Sequence, residues 1–214
     1  MQRRVFSRSL LAGSALGAVG GLTLNPALAQ RVAPKEGVDF VRLPRPAPVQ
    51  STAGQVEVVE FFAYTCIHCH NFEPIFDAWI KKQPAQVVVR RTPVAFSPAF
   101  VPMQRLYYSL ESMNLVEKLH AKVFAAIHEE RLALTTPAAI VDWVAKQGVD
   151  RARFTEVFNS GPTSEKAARA AKLQDEYGVE GTPALGVAGR YYLSGQGPRT
   201  LVVADALIAE VRKG

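Results

Sequence analysis

Two cysteines separated by only two residues carry the clearest chemistry in this sequence. Cys66 and Cys69 are the only cysteines among its 214 residues. A stabilising disulfide normally closes a long loop, because the entropy that it removes from the unfolded chain grows with the length of that loop. A bridge over two residues would constrain almost nothing. The spacing therefore predicts a redox-active pair that forms and breaks its disulfide during function.

The residues on either side predict the elements that position this pair. The β-branched and aromatic run 55–62 predicts a buried strand. Apolar residues then recur at the three- and four-residue spacing of one buried helix face, namely Phe72, Ile75, Phe76, Trp79 and Ile80. Cys66 therefore lies at the start of a helix, where peptide N–H groups and the helix dipole favour a thiolate. Cys69 lies one turn further along and is less exposed.

A histidine between the cysteines adds a second influence on the sulfur. The imidazole of His68 can offer a hydrogen bond or a positive charge to the Cys66 thiolate. Each pKa unit by which the thiolate is favoured corresponds to roughly 30 mV toward a more oxidising disulfide. We therefore expect His68 to strengthen the pair as an oxidant.

The first 29 residues have the pattern of an export signal. Arg3, Arg4 and Arg8 are followed by an uncharged stretch over 10–24 and by the small-residue cleavage pattern ending at Ala29. The two adjacent arginines also resemble a twin-arginine signal, and an uncleaved anchor is the alternative. Without the three arginines the net charge falls from +6 to +3, which removes most of the support for a nucleic-acid partner. No apolar run after Ala29 is long enough to predict a membrane span.

Two segments resemble one known family. The segment Glu60–Glu73, with the letters EFFAYTCIHCHNFE, resembles the active-site segment of the DsbA-type periplasmic thiol:disulfide oxidoreductases of the thioredoxin superfamily. A distant second segment, Val179–Ala184, is similar to the loop of that family that holds a cis proline beside the cysteines. The resemblance extends from about Gly37 to the C-terminus. It implies an α/β, thioredoxin-like fold with an inserted helical domain.

The resemblance also implies roles for residues near the pair. Cys66 would be the exposed sulfur that is attacked, and Cys69 its buried partner. Thr182 and Pro183 would be joined by a cis peptide bond, with the backbone at Thr182 free to pair with an extended substrate. Ile67 stands where the commonest dipeptide of the family has proline, so the strength of the oxidant depends on it. Ile67 is also expected to meet the substrate.

Two acidic residues match positions near the active site of that family. Glu60 and Glu73 are implied to lie where a buried carboxylate assists proton transfer to Cys69. Glu60 ends an apolar strand, which makes burial plausible, and a surface salt bridge is the alternative for it.

The predicted domain organisation follows from this pattern. Residues 1–29 are the signal, 30–97 and 178–214 form the thioredoxin-like domain, and 98–177 form the helical insertion. The further expected elements are strands at 38–43 and 86–91, helix caps at Thr136 and Asp150, a helix at 164–177, a hairpin around Gly189 and a closing helix at 200–213. His120 and His128, eight residues apart in the insertion, are expected to be solvated.

The predicted function is the introduction of disulfide bonds into exported proteins in the periplasm. Reduced exported proteins would be the substrates, and a DsbB-like membrane quinone reductase would reoxidise the pair. No cofactor is required, because the cysteines themselves store the two electrons. A monomer is expected.

Other functions fit part of the same residues. A periplasmic reductase or isomerase shares the motif, although only about 25 residues of the mature chain precede the first core strands, too few for a separate dimerisation domain. The Cys-x-x-Cys-His pattern also fits covalent c-type haem, with His70 as one ligand and Met103 or Met113 as the other. That alternative leaves the preceding strand and the Gly-Thr-Pro loop unexplained, and zinc binding through Cys66, Cys69 and a histidine lacks a second cluster of ligands. A non-catalytic chaperone would keep its activity after Cys66→Ser.

Overall fold

The computed structural model describes residues 33–213, so the predicted export signal lies outside the described residues. Within that range the chain forms one mixed sheet and seven helices. None of these helices has the length and apolar character that a membrane span requires. The described residues therefore form the α/β structure that the sequence predicts.

The sheet of the described range has a long buried strand at its centre. The strands are β1 (Val41–Arg42), β2 (Val56–Phe62), β3 (Val87–Pro93), β4 (Ala184–Val187) and β5 (Tyr191–Ser194), in the spatial order β1-β5-β4-β2-β3. β2 runs parallel to β3 and antiparallel to β4. All seven residues of β2 are buried, including Glu57 on one face and Glu60 on the other.

The helices divide into those that cover the sheet and those inserted between two strands. They are α1 (Ile67–Ile80), α2 (Val101–Ser112), α3 (Val116–His128), α4 (Pro137–Lys146), α5 (Arg151–Asn159), α6 (Gly161–Tyr177) and α7 (Pro198–Val211). α1 connects the parallel strands β2 and β3, whereas α2–α6 all lie between β3 and β4 in the chain. The active-site segment therefore leaves the end of the central strand directly.

Local capping chemistry accounts for most of the helix boundaries. Thr136 and Asp150 accept hydrogen bonds from Ala139 N and Arg153 N, as the sequence predicted. The helix expected at 164–177 begins three residues earlier, at Gly161, because Ser160 caps it.

The predicted strand at 38–43 is wrong for most of its length, because only Val41–Arg42 is a strand. The preceding residues close a turn in which Gly37 N bonds Phe40 O at 2.8 Å and Asp39 N bonds Lys35 O at 2.8 Å. Gly37 has a φ of +78°, a conformation that favours glycine. These local bonds use backbone groups that a longer strand would have offered to β5.

Three apolar clusters hold the described fold together. Val56 and Val58 pack with α1 and α7 on one face of the sheet, and Val59 and Phe61 pack with Tyr177 on the other. The third cluster joins the inserted helices to the active-site segment, because it contains Phe62, Tyr64 and Cys69 beside the buried faces of α2–α6. The buried cysteine is therefore part of the core of the insertion.

Candidate active site

Cys66 caps the N-terminus of α1. Its backbone is extended, with φ −89° and ψ 114°, and its Sγ accepts a hydrogen bond from Cys69 N at 3.3 Å. The side chain is half-buried, whereas Cys69 is fully buried. The sequence placed Cys66 at this junction between a strand and a helix, and the structure agrees.

The pKa values of the two thiols are shifted in opposite directions. The pKa of Cys66 is lowered to about 5, first by the hydrogen bond from the Cys69 thiol and further by the backbone N–H groups of Cys69 and His68. The pKa of Cys69 is raised, because it gives its hydrogen to Cys66 and because it is buried. Cys66 is therefore the sulfur that carries negative charge in the dithiol form.

The loop with the second sequence motif lies against Cys66. The Thr182–Pro183 peptide bond is cis, as the resemblance implied. Thr182 O lies 3.3 Å from Cys66 Sγ and accepts a hydrogen bond from it in the thiol form. Gly195 lets a neighbouring segment approach this loop, because a Cβ there would lie 2.4 Å from Pro183 O. This requirement for glycine at position 195 was not predicted from the sequence.

The residues between the cysteines face outward. The Ile67 side chain is 47% exposed, and His68 is exposed as well. His68 contributes its backbone N–H to the Cys66 sulfur, and the predicted role of its imidazole stays a prediction. A cavity of about 330 Å³ lies next to Thr65, and its walls are mainly apolar. The exposed surface around Cys66 thus includes an apolar component.

Glu60 and Glu73 meet at a half-buried arginine. Arg91 Nη2 donates to Glu73 Oε2 at 2.8 Å, and Arg91 Nε lies 3.2 Å from Glu60 Oε2. Arg91 also pairs with Asp77 at the outer edge of this group. Glu60 is completely buried, so the alternative of a surface salt bridge for it is wrong.

The two carboxyl groups differ in charge. Burial, followed by the neighbouring Glu73 carboxylate, raises the pKa of Glu60 well above its usual range. Burial would also raise the pKa of Glu73, but His120 and Arg91 outweigh it and hold that pKa at about 2. Of the two carboxyl groups, Glu60 therefore binds a proton more readily than Glu73.

His120 and His128 are the clearest correction to the sequence-based expectations. Both were expected to be solvated, yet His120 is buried and His128 is half-buried. His120 Nδ1 lies 2.8 Å from Tyr64 Oη and Nε2 lies 3.0 Å from Glu73 Oε1. His128 Nε2 lies 2.8 Å from Tyr64 O. Both contacts arise because α3 packs against α1.

Sequence reasoning missed three members of this site, namely Tyr64, Arg91 and His120. A signal existed for Arg91, since it is a charged residue at the end of the predicted apolar strand 86–91; the structure places it opposite Glu60 in the parallel register of β2 and β3. A signal also existed on α3, because positions 120, 124 and 128 form one line on a helix beside the apolar stripe. His70, the ligand that a haem alternative requires, stacks on His128 with ring centroids 5.2 Å apart and pairs with Glu129.

Comparison with known proteins agrees with this geometry. Residues 57–204 match the family model described as the DSBA-like thioredoxin domain. The thiol:disulfide interchange protein DsbA of Bordetella pertussis is 40% identical over all of this chain and all of its own. This chain belongs to the DsbA family. A DsbA of Burkholderia cepacia is 38% identical over 90% of this chain and 92% of its own.

Solved structures of DsbA proteins superpose closely on this chain. The crystal structure of Pseudomonas aeruginosa DsbA gives a TM-score of 0.78 at 37% identity, covering 82% of this chain and 93% of that one. DsbA from Xylella fastidiosa gives 0.81 at 30% identity, covering 86% and 100%. DsbA membership confirms the predicted thioredoxin-like α/β fold, the thiol:disulfide oxidoreductase class and the introduction of disulfide bonds as the activity. It favours thiol chemistry over haem or zinc at this motif.

Proposed function

We propose that this chain oxidises reduced exported proteins in the periplasm, as a monomer, through a Cys66–Cys69 disulfide. The observation that carries the proposal is the contrast between the two sulfurs. Cys66 is half-buried with a pKa lowered to about 5, whereas Cys69 is buried with a raised pKa. Stabilising the reduced form in this way makes the disulfide a stronger oxidant.

The reaction proceeds by two thiol–disulfide exchanges. A substrate thiolate attacks Cys66, so that a mixed disulfide forms and the electron pair of the broken bond leaves on Cys69, which is then protonated. The second cysteine thiolate of the substrate then attacks the substrate sulfur that is bonded to Cys66. The substrate disulfide forms, and Cys66 leaves as a thiolate. The substrate gains a disulfide and the enzyme holds two electrons. A leaving thiol of low pKa departs faster, which suits Cys66 to the second step.

The groups proposed to meet the substrate surround Cys66. Thr182 and Pro183 would present backbone groups to an extended peptide chain, and the short distance from Thr182 O to Cys66 Sγ supports this role. Ile67 would contact apolar side chains of the substrate, in keeping with its exposure. His68 would tune the sulfur, and Glu60 with Glu73 would serve proton transfer to Cys69.

The enzyme needs an electron acceptor to act again. We assign this role to a DsbB-like membrane quinone reductase, since family membership implies such a reoxidant and a dithiol stores two electrons without a bound cofactor. The same surface around Cys66 would serve the substrate and the reoxidant in turn, because both reactions pass through that sulfur.

The deciding measurement is the reduction potential of the protein, equilibrated against glutathione buffers. A potential of roughly −120 to −180 mV is expected for a disulfide donor, the more oxidising value being that of a DsbA protein itself. A potential near −270 mV would overturn the proposed direction, would assign the chain to the reductases and would make Ile67 the first residue to replace.

Trapping distinguishes catalysis from simple binding. Cys69→Ser should accumulate mixed disulfides when its Cys66 thiolate attacks a disulfide of an exported protein and the other sulfur of that disulfide leaves as a thiolate, because the buried sulfur is no longer there to displace the trapped substrate. Cys66→Ser should form none and should lose oxidase activity. Full activity of Cys66→Ser in preventing aggregation of unfolded chains, with no trapped substrate for Cys69→Ser, would instead identify a chaperone.

A further inference from the structure

His120 is a buried histidine that the proposed reaction does not yet use. It lies on α3 with its imidazole between the Tyr64 hydroxyl, 2.8 Å from Nδ1, and the Glu73 carboxylate, 3.0 Å from Nε2. The rings of Phe62, Tyr107 and Phe124 surround it at centroid distances of 5.2 to 5.8 Å. A polar side chain so enclosed depends on its two hydrogen bonds.

The chemistry of the two neighbours fixes the direction of one of these bonds. Glu73 is ionised, so its Oε1 only accepts, and the Nε2 of His120 must carry the hydrogen. This is true of both charge states of the ring. A neutral ring accepts the Tyr64 O–H at Nδ1, and a charged ring donates Nδ1–H to the same oxygen. The bond from His120 to Glu73 is therefore present in either state.

The hydrogen bonds around the carboxyl pair are unequal. Glu73 receives Nε2–H of His120 and two N–H groups of Arg91. Within the described residues neither oxygen of Glu60 receives a hydrogen bond, although Arg91 Nε lies 3.2 Å from it. A carboxylate without donors in a dry site binds a proton, and a protonated Glu60 then supplies the hydrogen itself.

One member of the carboxyl pair, Glu73, is next to the buried cysteine on α1. Cys69 and Glu73 are both buried and lie four residues apart on α1, which places them on one face of the helix with Cβ atoms about 5–6 Å apart. Tyr64, the other partner of His120, packs in the same apolar cluster as Cys69. His120 thus touches the segment before Cys66 and the carboxylate after Cys69.

We propose that His120 is a positioning residue for the thiol chemistry: by donating its Nε2–H to Glu73 it keeps the single proton of the carboxyl pair on Glu60, from which Cys69 receives it. The inference deepens the proposed function and rests on it. When a thiolate attacks Cys66, the S–S bond breaks, the electron pair leaves on Cys69, and the Glu60 proton neutralises that sulfur. Glu60 remains as a carboxylate beside Arg91 and is protonated again from solvent.

The test is the rate at which glutathione reduces the oxidised protein at pH 7, measured by acid quench and mass spectrometry. His120→Asn, whose shorter amide reaches Tyr64 but not Glu73, should slow the reaction about tenfold, a fraction of the 10²–10⁴-fold typical of general acid–base catalysis. His120→Gln places an amide N–H near the position of Nε2 and should stay within about threefold of the wild-type rate. A merely structural role would make both amides equally harmful.

Two controls identify the group through which His120 acts. His128→Asn removes the neighbouring imidazole of α3 without touching a carboxyl group, and its rate should stay within about twofold of wild type. In a Glu60→Gln background, His120→Asn should cause no further loss, because the proton that it positions is already absent. The pKa of the Cys66 thiolate should stay at about 5 in all His120 variants.

The outcomes separate this inference from the proposed function. Equal rates for His120→Asn and wild type, or the same tenfold loss in the Glu60→Gln background, would overturn the role of His120 while leaving the oxidase intact. If His120→Asn does not fold, His120→Leu replaces it in the same comparison with His120→Gln, since leucine also lacks the donor. Failure of the proposed function would appear differently, as a wild-type reduction potential near −270 mV.

Discussion

At the scale of single residues, Cys66 and Cys69 show how position creates reactivity. They are the same residue three positions apart, yet one is an N-cap that accepts hydrogen bonds and the other is a buried donor. At the N-cap, the first backbone N–H groups of the helix are free to donate to a side chain. In the helix interior these groups are already bonded to backbone carbonyls. The different acidities of the two cysteines therefore follow from their positions on the helix.

The acidity of Cys66 gives a direct prediction. The thiolate absorbance of the reduced protein should titrate with a midpoint near pH 5, because hydrogen bonds from Cys69 and from the start of α1 stabilise the anion. Ultraviolet absorbance over pH 3–9 measures it, and the transition should vanish in Cys66→Ser. A midpoint near the ordinary value of about 8.5 would contradict the hydrogen-bond geometry described above.

The imidazole of His68 is the second residue to test. His68→Ala should make the reduction potential more negative, by roughly 30 mV for each unit by which the pKa of Cys66 rises. His70→Ala is the matched control, because that ring is stacked on His128 and paired with Glu129. If His68→Ala keeps the wild-type potential, only the backbone N–H of this residue acts on the sulfur.

At the scale of elements, Arg91 ties the edge strand β3 to α1. It stands opposite Glu60 in the parallel register and reaches Glu73 and Asp77 on the helix. Removing one partner from a buried charge network leaves the others uncompensated, which typically costs about 3–5 kcal/mol. The attachment of α1 to the sheet therefore combines apolar packing with an ionic contact.

Replacing this arginine tests that attachment. Arg91→Met should lower the free energy of unfolding by about 3 kcal/mol or more. Arg151→Met should change it by less than about 1 kcal/mol, since the pair of Arg151 with Asp142 is exposed. Urea denaturation followed by circular dichroism compares them. Similar losses for the two variants would mean that the buried network contributes no more than a surface pair.

The sequence could predict elements whose signals are local. The buried strand β2, the caps at Thr136 and Asp150 and the hairpin around Gly189 follow from apolar runs and turn chemistry within a few residues. Contacts between segments that are distant in the chain could not be predicted from such local signals. The spacing on α3 marks a line of residues beside the apolar stripe but not the element that covers it, and the neighbours that bond His120 lie 47 and 56 residues away.

At the scale of the whole molecule, the site is assembled from four parts of the chain. The end of β2 with α1, the strand β3, the inserted helix α3 and the loop at Thr182 each supply a residue that acts on a sulfur or on a carboxyl group. Cys69 itself belongs to the apolar cluster of the insertion. The redox state of the pair is therefore expected to affect the stability of the entire fold.

The pH dependence of stability should differ between the reduced and the oxidised protein. Folding lowers the pKa of Cys66 from its ordinary value of about 8.5 to about 5, so ionisation of this thiol stabilises only the reduced fold. That contribution is fully present above pH 9, decreases as the pH falls, and is lost below about pH 5. The oxidised protein has no such group.

Urea unfolding of both forms at pH 5 and pH 8 measures this effect. The stability of the reduced form should increase relative to that of the oxidised form between the two pH values, and reduced Cys66→Ser should lack this increase. The same change in both redox forms would show that other groups, rather than the Cys66 thiolate, cause it.

The three apolar clusters determine what this protein needs in order to fold. The chain has two cysteines, and both are in the redox motif, so the fold depends on no structural disulfide. An enzyme that supplied disulfides and also required them would depend on its own prior activity. Because side-chain packing rather than a structural disulfide holds this fold together, the chain can fold where no disulfide donor is yet active. Disulfide formation can therefore begin without any previously active enzyme of this kind.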